Sequence, residues 1–160
     1  MSILEQLFFQ MLNINNRQDL FARLEKLKAN QQPLFGVMTP QHMVEHLIWT
    51  VTFCNGKLPQ QQITTAEKAL QLREVFMYSK DEYPRGIKPP MLPDEPLPLI
   101  YPDLSAAINQ LKKELNDFDK YFEAGNGAAI NPALGVLNYE EWLLVHNKHF
   151  THHFTQFGLL

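Results

Sequence analysis

The chain has 160 residues, 45% hydrophobic and 19% charged, with a formal net charge of −3 when the histidines are neutral. That length fits one domain, residues 1–160, around one core. The acidic balance disfavours a nucleic-acid partner, which asks for a basic face, and no run approaches the ~20 apolar residues of a membrane helix.

The start, MSILEQLFFQMLN, lacks a positive leading segment and a small-residue cleavage site, so it does not read as a secretion signal. The single cysteine, Cys54, has no partner for an internal disulfide. A cytoplasmic location is expected on these grounds. Residues 2–12 read as a short apolar helix. Asn15 or Asn16 then caps a helix over RQDLFARLEKLKAN, where Leu20, Phe21, Leu24 and Leu27 keep helical spacing. Thr39-Pro40 pairs a capping hydroxyl with a proline at the first helical position, and the helix it starts runs to Asn55-Gly56. Thr65 caps a third, AEKALQLREVFMYS.

Residues 79–102 hold seven of the eleven prolines, interleaved with Met91, Leu92, Leu97, Leu99, Ile100 and Tyr101. Proline removes backbone donors, so this stretch reads as neither helix nor central strand. Its apolar content suits an ordered wrap better than a free linker. Asp103 or Ser105 caps a long helix to Glu123 with an apolar stripe of Leu104, Ile108, Leu111, Leu115, Phe118 and Phe122. A loop containing Asn131-Pro132 leads to a capping box at Asn138 and Glu141 and a last helix. The expected fold is therefore all-α, an antiparallel four-helix bundle with a long proline-rich loop.

All six histidines fall in two windows, TPQHMVEHLIW and WLLVHNKHFTHHFTQFG, with about a hundred histidine-free residues between them. Residues four apart share a helix face, so His149 and His153 can aim at one point. His46 lies mid-helix and can meet them from across the bundle. Neutral imidazole is the commonest protein metal ligand, and three nitrogens with an open position are the pattern of a catalytic zinc site. His42 sits at the first turn of its helix, near the rim. His152 points ~100° away from His153, and His146 is placed for a supporting position one turn before His149. The intervening Phe150, Thr151 and His152 lack the glutamate of H-E-x-x-H, which disfavours a zincin-type peptidase. Glu45 suits a solvated or capping role. Trp49, Tyr139 and Trp142 suit pocket wall or core, and Cys54 a small buried hydrophobe. Metal binding by unperturbed imidazoles is expected to weaken as pH falls through about 6.5.

The segments TPQHMVEHL and HFTHHFTQ resemble the DinB/YfiT-like superfamily of metal-dependent helical proteins, in a branch catalogued as a domain of unknown function. The resemblance places the metal on His46, His149 and His153, and Gln156 on the family's glutamine. Imidazole suits zinc, nickel, iron and copper, so the sequence does not choose among them; zinc or nickel is expected first, with iron the further candidate. The resemblance implies a low-molecular-weight thiol, a small-molecule substrate and a homodimer. The activity it implies is a metal-dependent transferase or hydrolase that activates a thiol or water. The reading from a different class is a non-catalytic binding or stress-response protein whose metal site is structural or vestigial.

Overall fold

In the computed structural model, residues 11–86, 88 and 92–160 are described. The expected helix over residues 2–12 lies almost wholly outside them. Helix α1 spans Arg17–Leu24, with the Asn16 side chain accepting from the Asp19 amide and Leu20 and Leu24 buried. It ends six residues sooner than its apolar spacing predicts. Tighter bonds from Lys26 N to Arg23 O and Leu27 N to Leu24 O close the last turn, so Leu27 is buried beyond the helix rather than in it.

Helix α2 spans Pro40–Thr52, capped by Thr39 at the His42 amide. It stops before Gly56, whose φ of +82° suits a residue without a side chain. Helix α3, Ala66–Arg73, is capped by Thr65 and continues as a π-helical turn over Glu74–Tyr78. Helix α4, Leu104–Glu123, is capped by Asp103 and buries Leu104, Ile108, Leu111, Leu115 and Phe118. Helix α5, Tyr139–Gln156, opens with the Asn138–Glu141 capping box in both directions.

A bundle of four helices is not what forms. Among the described residues there are five α-helices and a two-stranded antiparallel sheet, and roughly half the chain is helical. Strands β1, Ala129–Asn131, and β2, Gly135–Leu137, pair with Ala129 opposite Leu137 and Asn131 opposite Gly135. Asparagine and proline at residues 131 and 132 predict a loop here. Asn131 makes the difference: its side-chain oxygen accepts from the amides of Ala133 and Leu134, folding the chain back on itself. Gly135 takes a φ of +83° at the far side of the turn. With only three residues per strand, the alternation of buried Leu137 and exposed Val136 is too short to register as a period.

The core joins α2, α4 and α5. Leu47, Leu111, Leu115, Phe118, Trp142, Phe150 and Phe154 are fully buried there, and α2 packs mainly on α4 and also on α5. The described residues of the proline-rich segment form no helix or strand between Ser79 and Asp103. Several attachments hold its ends, among them Gln41 donating to the Tyr101 carbonyl at 2.7 Å and Lys148 to that of Ser79 at 2.9 Å. The Glu45 carboxylate accepts from the amides of Ile100 (2.7 Å) and Tyr101 (3.1 Å). At the other end Tyr83 donates its hydroxyl to the Phe76 carbonyl at 3.1 Å. No helix among the described residues is long and apolar enough to cross a membrane.

Candidate metal centre

Helix periodicity and the packing of α2 on α5 bring His46, His149 and His153 together. The Nε2 atoms of His46 and His149 lie 2.9 Å apart, and those of His149 and His153 3.1 Å apart. Ring centroids are separated by 4.7–4.9 Å, with the planes steeply inclined. His153 is buried and the other two are partly buried. Two ligands at ~2.0–2.1 Å in a tetrahedral arrangement stand ~3.3 Å apart, close to what the chain presents. The three could hold a metal ion.

The hydrogen-bond logic around His153 supports that fit. The Phe35 carbonyl can only accept, so the amide nitrogen of Gln156, 2.9 Å away, must face it. The Gln156 oxygen then faces His153 Nδ1 at 2.8 Å and accepts its proton. His153 Nε2 is left with a bare lone pair pointing at the other two rings. With that nitrogen unprotonated, the two short N···N contacts cannot both be linear hydrogen bonds. A cation between the rings relieves the conflict, and the outer hydrogen bond to Gln156 is the usual support of a ligating imidazole.

Burial sets the charge state. It holds His46 down to about 4, with His152 a lesser cause. It also lowers His149 and His153 well below the ordinary histidine value, with neighbouring histidines adding to the effect. All three are neutral donors at neutral pH. The onset of proton competition therefore lies below the 6.5 expected from the sequence.

The remaining histidines go elsewhere. His42 turns back to Thr39, Nδ1 to Oγ1 2.7 Å, at the start of α2. His152 lies on the rim against Phe35 and Tyr83. His146 does not support the centre, contrary to its expected place. It is fully buried, stacked on Trp142 and edge-on to Phe118, with Nε2 3.2 Å from the Cys54 thiol and Nδ1 without a partner. The reason is position along the helix rather than rotation: seven residues bring His146 within ~20° of the direction of His153 but ~10 Å nearer the start of α5, level with Trp142, Phe118 and Cys54. Tyr139 and Trp142 are likewise core residues, the first stacked on Phe118 and the second donating to the Ala129 carbonyl. Trp49 lies 6.4 Å from the His46 ring and packs on Phe53.

Several further contributors surround the centre. Glu45, expected in a solvated or capping role, ties down residues 100 and 101. Tyr83 packs its ring 6.2 Å from His149 and 6.0 Å from His152. Lys148 is buried and donates to the carbonyls of Val75 and Ser79 at the end of the π turn. Arg85 stacks 4.1 Å over Phe35. Phe35, Tyr83, Lys148, Thr151 and His152 are among the residues lining a cleft of about 440 Å³ beside the centre. The Phe35-Gly36 pair before a helix cap is the one local signal for them in the sequence, and it is not specific.

A family model described as Protein of unknown function (DUF1569) matches residues 9–158. The chain belongs to that family. No curated protein and no solved structure matches it significantly. The DUF1569 match takes in all three converging histidines, Gln156 and the Phe35-Gly36 loop, so the centre lies wholly within the family's extent.

Proposed function

We propose that His46, His149 and His153 hold one divalent metal, zinc or nickel before iron, and that the chain is a metal-dependent transferase or hydrolase. The single observation that carries this is the convergence of three neutral Nε2 atoms within about 3 Å of their neighbours. A divalent cation held by three imidazoles supplies Lewis acidity that brings a thiol or water toward deprotonation at neutral pH. The chain's own residues provide donors, orientation and a place for a substrate. Gln156 fixes the ring of His153. Tyr83 and His152 stand between the centre and the adjoining cleft, which mixes aromatic and cationic lining suited to a small polar molecule. The resemblance to the DinB/YfiT-like superfamily supports a low-molecular-weight thiol as the molecule activated.

A second reading is a non-catalytic binding or stress-response protein with a structural site, and one observation favours it. The Tyr83 ring covers His149 and is itself buried enough to raise its hydroxyl pKa. Two measurements decide. Elemental analysis of untagged protein is expected to return one divalent metal per chain. Addition of a small thiol to the cobalt-substituted protein is expected to shift its visible spectrum. No metal would end the proposal, and metal with a spectrum indifferent to thiols and to anions would leave the structural reading in its place.

A further inference from the structure

We propose that the loop Leu34–Gly36 is a positioning device for His153, acting through Gln156 to bare the ring nitrogen that faces the other two histidines. The inference rests on the metal reading above and adds to it a residue relay that can be examined without metal.

Three contacts build the relay. The Leu34 amide donates to the Gln156 carbonyl at 2.7 Å, which seats the loop on the end of α5. The Phe35 carbonyl accepts from the Gln156 amide nitrogen at 2.9 Å, and the Gln156 oxygen accepts from His153 Nδ1 at 2.8 Å. A backbone carbonyl has no proton to give, so the direction of every bond in the chain follows from it. An amide turned the other way would set its oxygen against the Phe35 oxygen and its nitrogen against a ring nitrogen forced to surrender its proton. Gln156 is buried, so water does not compete freely for these partners.

Gly36 explains why the loop can come this close. A Cβ on residue 36 would stand 2.8 Å from the Gln156 amide nitrogen, and the backbone there has a φ of +79° that residues with side chains rarely adopt. The same loop leads into Thr39 and α2, the helix that carries His46. One short segment therefore abuts the end of one histidine-bearing helix and starts the other. Neither Gln156 nor Phe35 nor Gly36 is placed to contact a metal. They act through His153 and are positioning residues.

The test has two arms. In the zinc-free protein, long-range 1H–15N correlation spectra report which nitrogen of His153 carries the proton. The expected result is Nδ1–H in the wild type and a shift toward Nε2–H in Gln156→Leu. Gln156→Glu keeps an acceptor for Nδ1–H but has no donor for the Phe35 carbonyl, so it is expected to restore the tautomer only in part, and Gly36→Ala, whose Cβ would press on the Gln156 amide nitrogen, is expected to shift it as Gln156→Leu does. In the second arm, zinc affinity by chelator competition is expected to fall about 10- to 100-fold in Gln156→Leu, with Gln156→Glu closer to wild type. Nε2–H in the wild type would overturn the relay, as would a Gln156→Leu protein that binds zinc with unchanged affinity. If Gln156→Leu fails to fold, the wild-type tautomer still decides. Absence of zinc binding by the wild type would refute the metal reading alone, and the tautomer would judge the relay separately.

Discussion

His149 is the hinge of the centre, because both short nitrogen contacts run through its Nε2. His149→Ala removes one of three donors. Tetrahedral zinc sites with four protein ligands bind with about 10–16 kcal/mol, or roughly 2.5–4 kcal/mol per ligand. At 1.4 kcal/mol per decade that predicts a loss of about two to three orders of magnitude in affinity. The consequence for stability can be worked from the same figure. Zinc at about a thousand times the wild-type Kd stabilises the folded protein by ~4 kcal/mol, which for a chain of 160 residues raises Tm by about 8–16 °C. At the same zinc concentration the variant keeps a ratio to its own Kd of about 1–10, hence ~0.4–1.4 kcal/mol and a rise of about 1–6 °C. Differential scanning of each protein with and without zinc measures this, each against its own metal-free form, so that lost packing cancels. His42→Ala and His152→Ala are the controls and should retain the full rise, since the His42 ring turns back to the Thr39 hydroxyl and His152 faces the rim. A full zinc-dependent rise in His149→Ala would refute the assignment of the three histidines. So would an equal loss in His152→Ala.

Burial of the ligands moves the acid limit of the site. With His46 held to about 4 and His149 and His153 also lowered, half-loss of zinc in chelator competition should fall well below pH 6.5, and a midpoint at 6.5 would contradict the buried geometry. Stability of the metal-free protein should also depend on pH through His146, which burial holds at about 3 against an ordinary 6.5. The unfolded chain then binds a proton that the folded chain refuses. The stability is fully present above pH 6.5 and is lost as pH falls toward 3, by ~1.4 kcal/mol per pH unit. Urea unfolding should show His146→Leu losing about 2 kcal/mol less than wild type between pH 7 and pH 5. Glu114 is buried and accepts from Asn55, Lys57 and Gln110 at 2.6–2.8 Å. Glu114→Ala leaves the buried Asn55 amide without its acceptor, while Lys57 keeps Asp117, and should cost about 2 kcal/mol in the same assay, whereas a cost under about 1 kcal/mol would mean that water satisfies the amide. Glu45→Ala frees the amides of Ile100 and Tyr101 and should speed tryptic cleavage after Arg85, which Gly86 follows, with an unchanged rate showing that the segment is held by other contacts.

The positions of His149 and His153 on one helix face, and of His46 on a second helix, were legible because the α-helix has a fixed pitch. Caps were legible for the same local reason: Thr39, Thr65, Asp103 and Asn138 each satisfy an amide within three residues of themselves. The early end of α1, the β1–β2 hairpin and the burial of His146 beside Cys54 were not, since each depends on a neighbour or on a turn too short to leave a period. Nor was the tautomer of His153. It is decided by the Phe35 carbonyl, 121 residues from Gln156 along the chain, and only the folded chain brings that oxygen near enough to orient the amide. Sequence alone determined which residue types could meet on a helix face. Tertiary packing decided their protonation, their partners and what lies beside them, because those follow from desolvation and from hydrogen bonds between segments that are remote until the chain is folded.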